Sequence, residues 1–288
     1  MQIVTDRAAD LTLEQLRGVE LPYVPLIVTI NGREYRSGVD LQPDEFYRLL
    51  EETGAMPSTS LPGPGEIAEF YRALAVRDPD IISMHVASVL SGTYNAARLA
   101  ADMVPEANIT VYDTRTVSGG LGWQVEAAVR AAQAGWTRAQ ILDLLAQVHQ
   151  ATNIVFTIPH LKYLVHGGRI SNLKGLLATT LNIKPLLGVN IETGQLEQQG
   201  TVRTFKRALE HLGQVIAARH APGTPLRVQL MHANNPEGAA EAQAHLDSMF
   251  ECHWLPATGV GPVIGAHSGP GLVGVGYASL AEFPPLPQ

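Results

Sequence analysis

The residues able to do chemistry in this chain fall in four short stretches. Val165-His166-Gly167-Gly168-Arg169-Ile170-Ser171, with Asn182-Ile183-Lys184-Pro185 closing the segment behind it, sets a permanent cation beside two glycines. A glycine pair lets the backbone approach a ligand closely and take φ > 0 at little steric cost. An arginine there is a forked donor suited to a carboxylate or phosphate. The plainer reading is a helix C-cap at Gly167-Gly168 with Arg169 as a surface charge. The second stretch is Ser58-Thr59-Ser60 within Pro57–Gly65, three adjacent hydroxyls that could equally solvate a loop or cap a helix. The third, Ser91-Gly92-Thr93, stands between a strand and a helix. That is the position from which α/β proteins offer backbone N–H groups and a positive dipole end to an anion. An ordinary N-cap by Ser91 or Thr93 is compatible with that role. The fourth is His267-Ser268-Gly269-Pro270-Gly271, a glycine-built loop carrying one of ten histidines, and a lone histidine is more often structural.

Several chemistries are poorly supported. No HExxH, CxxC or comparable spacing offers a metal site, and Ser91-Gly92-Thr93 lacks the glycine pattern of either nucleotide fingerprint. No G-x-S-x-G elbow is present. A Ser91/His267/Asp triad is compatible with residue types, but nothing in the spacing selects it. The balance of 20 Lys+Arg against 27 Asp+Glu, a formal charge of -7, argues against nucleic acid, and neither a basic cluster nor a helix-turn-helix offsets it. A DNA-binding regulator is therefore disfavoured. The single cysteine, Cys252, rules out an internal disulfide framework and fits a reducing compartment. With no apolar run of membrane-span length and no signal-like N-terminus, the expectation is a cytoplasmic protein without stable membrane insertion.

The elements that must position these residues read as two kinds of fold. Strands at Gln2–Thr5, Val24–Ile30, Asp80–Val86 and Ile109–Tyr112 alternate with helical stretches. The pattern predicts a doubly wound parallel sheet over residues 1–155. Ligands in such sheets bind outside the carboxyl ends of the strands. Asn31-Gly32 signals a hairpin returning through Arg33–Arg36. Pro57–Gly65 reads as a shaped loop, and Ser118–Gly122 as a glycine-rich loop before an alanine-rich helix ending near Gly135. From Pro159 the character changes. A short helix over Leu173–Leu181, a hairpin of Leu186–Asn190 with Leu196–Val202, and a helix opened by Arg203 and Lys206 predict an α+β domain over 156–288.

Taken together, the chain resembles the DegV family, the fatty-acid-binding subunits of bacterial fatty acid kinase. The resemblance rests on eight pieces in family order: Ile3-Val4-Thr5-Asp6, Gly38-Val39-Asp40, Thr59-Ser60 with Pro62, Leu90–Tyr94, Gly167–Ser171, Ile183-Lys184-Pro185, Arg203 with Lys206, and His267-x-Gly269-Pro270-Gly271. It implies an N-terminal α/β and a C-terminal α+β domain with a long-chain fatty acid held between them, and no cofactor. It implies a protein that is not itself the catalyst. A separate fatty acid kinase catalytic subunit phosphorylates the carried carboxylate to an acyl phosphate that feeds phospholipid synthesis. By the same resemblance Thr59 and Ser91 would bond the carboxylate, with Ser60, Gly92 and Thr93 shaping the pocket. Arg169 and His267 would complete it, and Arg203 would face the kinase. Arg7-Ala8 departs from the usual Ser-Thr, and Gly63 from the usual serine, so the polar lining is expected to differ. The alternative is a Ser/His hydrolase of acyl esters.

The physics suits a carrier. Burying about fifteen methylenes is worth on the order of 12 kcal/mol gross, at roughly 0.8 kcal/mol each. The tail therefore drives affinity even after association costs. A desolvated carboxylate needs compensation by donors, so it sets orientation instead. Phosphoryl transfer would further require the head group at the rim.

Overall fold

A computed structural model describes residues 1–170, 173 and 183–288. The expected helix over Leu173–Leu181 lies, apart from Leu173, outside the described residues, as do Ser171 and Asn182. The protein has a mixed α/β architecture with a parallel sheet and a separate α+β region. The first sheet is parallel, in the order β2-β1-β6-β7, built from Tyr23–Val24, Gln2–Asp6, Asp80–His85 and Asn108–Asp113. β1 has its sequence neighbour β2 on one side and β6 on the other, so the chain reverses direction between β1 and β6. That switch point leaves a crevice at their carboxyl ends.

The second sheet runs β10-β9-β8-β14-β11-β12, with β13 (Thr258–Gly259) also on β11. Its strands are Leu196–Val202, Lys184–Val189, Asn153–Thr157, Val273–Ser279, Pro225–His232 and Glu251–Trp254. Pairing is antiparallel up to β11 and parallel between β11 and β12. The division expected after residue 155 falls inside β8. A third, antiparallel sheet orders β4-β3-β5, from Arg33–Arg36, Ile27–Ile30 and Ser58–Ser60.

Local chemistry explains most boundaries. Asn31 and Gly32 both take positive φ, 50° and 78°, as a two-residue hairpin turn requires. Pro25 lacks a backbone donor, and the single strand expected over Val24–Ile30 divides there into β2 and β3. Thr137 caps α6 (Arg138–Ala151) through a capping box with Gln140.

Two expected loops are helical. Gly119, Gly120 and Gly122 form the first turns of α5 (Gly119–Gln133), because bare backbone lets this buried helix press against Met231 and the Asp10 carbonyl. His267 and Ser268 end a short helix, α10, over Pro262–Ser268, started by Pro262 at its first turn. One stretch expected to be a loop contains β5, recruited by pairing Thr59 with Val28.

Three apolar clusters hold the layers. Helices α3 (Pro64–Ala75) and α4 (Thr93–Asp102) cover the outer face of the parallel sheet through Ile67, Tyr71 and Ala97. Helices α8 (Phe205–Ala217) and α9 (Pro236–Asp247) cover the far face of the large sheet through Leu209, Leu212 and Leu246. The largest cluster lies between the two sheets, where Trp123 and Leu121 of α5 pack. Strand alternation assigns the faces: Val155 joins the helix side, whereas Ile154 and Phe156 face the space between the sheets. Among the described residues no helix is long and apolar enough to cross a membrane.

Candidate functional site

Between the sheets lies a cavity of about 990 Å³, its open mouth included. It is at the upper end of the roughly 300–1,000 Å³ of small-molecule sites. One wall comes from the ends of the parallel strands: Ala8 after β1, Val86 and Leu90 after β6, Val117 and Ser118 after β7. The opposite wall is the face of the large sheet, including Ile154, Phe156, Met231 and Gly274. Leu272, Val263 and Ile264 extend the apolar lining.

Polar side chains from other elements complete the lining. Thr59, Ser60, Ser91, Arg169 and His267 all line the cavity. The Thr59 hydroxyl lies 2.8 Å from His267 Nε2. Burial pulls the His267 pKa down to about 4, with repulsion from Arg169 and His166 adding to it, so the ring is neutral at pH 7. Its other nitrogen, Nδ1, is buried and has no hydrogen-bond partner among the described residues. Gly167 seats that edge of the ring, since a Cβ there would overlap Nδ1. The Gly167-Gly168 pair therefore does both things its sequence allows. Gly167 is the C-cap of α7 (Lys162–His166), Gly168 follows at φ 73°, and together they deliver Arg169 to the cavity.

Arg169 donates from Nε to the Leu90 carbonyl at 3.1 Å and from a terminal nitrogen to Gly167 O at 2.5 Å. Among the described residues no carboxylate acts on it, and a guanidinium carries five donors in all. Next to Leu90, the Ser91 oxygen accepts from the Thr93 N–H at 3.3 Å and lies 2.8 Å from the Thr93 hydroxyl. Thr93 itself is fully buried and stands behind Ser91, away from the cavity surface. Gly92 borders only an adjoining polar vestibule of about 590 Å³, its solvent opening included. That vestibule shares Leu90, Ser91, Arg169 and Leu196 with the cavity, so Ser91 and Arg169 mark the junction between apolar and polar space. Arg203 is exposed at the β10–α8 junction and belongs to neither wall.

The departures at Arg7-Ala8 have a local account. Arg7 turns away from the cavity and stacks over the Tyr23 ring, 3.7 Å from its centroid, while Ala8 presents a methyl to the lining. Gly63 is the N-cap of α3, where Glu66 accepts from its backbone N–H.

Among the described residues no hydrolytic triad assembles on His267. Its ring partner is a threonine, and the charges acting on it are cationic. Ser83, His85 and Asp6 do form a hydrogen-bonded chain, at 2.9 and 3.0 Å, but all three are fully buried. Asp6 there accepts the N–H groups of Ala8 and Val86 and so ties β1 to β6. Among the described residues no group of three or more His, Cys, Asp or Glu could hold a metal ion.

The family model for DegV, described as an uncharacterised protein family, matches residues 1–280. The chain belongs to the DegV family. A DegV domain-containing protein of Deinococcus radiodurans is 36% identical over 285 residues, covering 97% of this chain and 98% of the relative. Among solved structures, a DegV family protein of Thermus thermophilus, described by its fatty acid binding, superposes with a TM-score of 0.85 at 30% identity. The match covers 97% of this chain and 99% of that one. A stearic acid-binding protein of Eubacterium ventriosum gives a TM-score of 0.82 at 26% identity, covering 97% and 98%.

Several DegV residues of this site escape a reading by motif. Gly274 is one: β14 reads Val273-Gly274-Val275-Gly276, and the alternation puts its bare positions on the cavity side. That pattern was a readable signal. The Asp10–Ser118 bond, 2.5 Å beside the cavity lining, had none, because 108 residues separate the partners.

Proposed function

We propose that this protein binds a long-chain fatty acid, its tail in the cavity between the sheets and its carboxylate at Thr59, Ser91, Arg169 and His267. The observation that carries the reading is an apolar cavity ending in hydroxyls and a cation where it meets a polar vestibule. Ser60 borders the same end, Thr93 fixes Ser91, and Gly92 keeps the vestibule wall low. The relatives described as binding fatty acid or stearic acid support the same ligand class.

Further, the protein presents the carboxylate, in the cytoplasm, to a separate fatty acid kinase subunit for phosphorylation to an acyl phosphate used in phospholipid synthesis. The vestibule supports this step, because a head group at its edge is reachable while the tail stays buried. Arg203 is the candidate contact with that subunit. The residues 1–155 and 156–288 then act as two halves that clasp the acid. A carrier of this kind needs no catalytic base of its own, and a neutral His267 ring with cations beside it and no carboxylate acting on it among the described residues favours it over an ester hydrolase.

Extraction of the native protein followed by mass spectrometry tests the reading. A co-purified C14–C18 acid is expected, together with no labelling by a fluorophosphonate probe. A protein that is empty and also fails to bind added C14–C18 acids overturns it.

A further inference from the structure

The turn between β9 and β10 belongs to the second sheet, yet it rests on the loops of the first. Asn190 shapes it: its side-chain oxygen accepts from the N–H groups of Glu192 and Thr193 at 3.1 and 3.0 Å. The turn is thus formed by its own residues before it meets anything else. Two contacts then seat it. His149, in α6, lies with Nε2 2.7 Å from the Ile191 carbonyl, which fixes Nε2 as the donor. Gly194, at φ 73°, packs so closely on the N-terminal half that a Cβ would come within 2.9 Å of the Ala87 side chain and 3.1 Å of Arg115 Cα.

Ala87 is the base of the head-group loop. Its carbonyl accepts from the N–H groups of Leu90 and Ser91, at 2.9 and 3.2 Å, and its own N–H donates to Thr116 O at 2.9 Å. Leu90 in turn holds Arg169. Two residues beyond Gly194 stands Leu196, one of the four residues that line both the cavity and the vestibule. His149 itself touches neither space around the head group.

We propose that His149 is a positioning residue that seats the β9–β10 turn on the Ala87–Ser91 loop, and that this seat sets how fast the bound acid leaves. The proposal rests on the fatty-acid reading above for its ligand. His149 is suited to the task because it is 3% exposed and single-tautomer. Nδ1 faces the Gln124 amide nitrogen, a donor, at 3.5 Å and therefore stays unprotonated. Burial lowers its pKa and outweighs the bond to Ile191 O and the nearby Asp113, which act the other way, so the ring is neutral.

The test compares the full-length protein with His149→Ala, His149→Gln and Gly194→Ala. The readouts are release of cis-parinaric acid chased with palmitate, and amide hydrogen exchange of the ligand-free chains. Glutamine keeps an amide donor for Ile191 O, so it separates this role from general packing. Alanine at 149 should speed release by about tenfold or more, the scale of one lost buried hydrogen bond, and glutamine should stay within about threefold of wild type. Exchange at residues 87–91 should rise in the alanine variant, with that of β11 unchanged. Gly194→Ala reaches the same seat from the other side and should act alike if His149→Ala fails to fold. Unchanged release in His149→Ala or Gly194→Ala, or a glutamine variant no better than alanine, overturns the proposal. If wild type binds no acid, the ligand reading fails, and exchange at 87–91 decides the seat: faster in the variants upholds it, unchanged overturns it.

Discussion

His267 and Thr59 stand 208 positions apart in the chain and share one hydrogen bond. Because Nδ1 has no partner among the described residues, and an orphaned N–H is the rarer and costlier case, we assign the ring proton to Nε2. Thr59 Oγ1 then accepts the hydrogen bond from Nε2–H, which leaves its own hydroxyl hydrogen to donate, the polarity a carboxylate needs. Hydrogen bonds to a charged group are worth about 1.5–3 kcal/mol, so Thr59→Val or Ser91→Ala should weaken fatty acid binding by about ten- to a hundredfold. Displacement of a fluorescent acid measures this, and unchanged affinity in both variants removes the head-group assignment. The same ring predicts a pH dependence. Its folded pKa of about 4 lies below the usual 6.5, so the unfolded chain binds more protons between those values. Stability from the neutral ring is present above pH 6.5 and lost as pH falls toward 4, by at most about 3 kcal/mol. Asp10 opposes it: burial raises its pKa to about 6, so its contribution grows as pH falls from 6 toward 3.8. Urea unfolding should therefore show the advantage of wild type over His267→Gln shrinking between pH 7 and 4.5. A constant difference would contradict a neutral buried ring. At this scale the sequence offered residue types: hydroxyls, one cation and a histidine in glycine company. Which hydroxyl met which ring was invisible, since no local spacing encodes a contact across two sheets.

Elements were legible wherever the signal was local. Asn31-Gly32, the capping box at Thr137 and the alternation of strands with helices all operate within a few residues. Legibility ended where tertiary packing chose among local options. The glycines after Ser118 suit a loop and also suit a helix pressed against Met231, and only the partner decides. The Gly167-Gly168 pair shows how two adjacent glycines can serve different ends. At Gly168 the backbone is left-handed and an added Cβ meets nothing within 4 Å among the described residues, so Gly168→Ala should cost about 1 kcal/mol of stability and weaken acid binding less than a change at Gly167. At Gly167 the backbone is ordinary, φ −72°, but a methyl would displace the His267 ring. Gly167→Ala should therefore weaken acid binding by about tenfold or more through the lost Thr59–His267 bond, with a smaller effect on stability. Thermal unfolding and ligand titration on the two variants separate the effects. Equal losses of affinity would show that the pair acts only as a helix terminus.

At the scale of the whole molecule, two sheets with different neighbours leave a space that neither fills. They are braced away from the cavity by buried Glu126 of α5, which accepts from Arg227 of β11 at 2.8 Å and from Gln15 at 3.1 Å. Gln15 and Gln229 exchange a further bond at 3.0 Å. The two-part architecture was readable from the change of pattern near Pro159. The membership of β8 was not, because its partner β14 lies more than a hundred residues later. The volume itself depends on what β14 leaves out. Its Val273 and Val275 pack toward the helices, while Gly274 faces the cavity between Phe156 and Met231. A first added carbon at Gly274 would already sit 3.2 Å from Phe156 Cβ, so further carbons must project into the cavity. Gly274→Val adds three carbons to the wall, displacing a comparable length of ligand. At roughly 0.8 kcal/mol per methylene, losing two or three buried methylenes should weaken binding of a C18 acid by about fifteen- to fiftyfold. A C12 acid, which leaves room to shift, should lose much less. Displacement titrations across C12, C14, C16 and C18 acids measure the ratio. A C18 affinity that stays at the wild-type value in a folded Gly274→Val protein would mean that the acyl chain does not lie against this sheet.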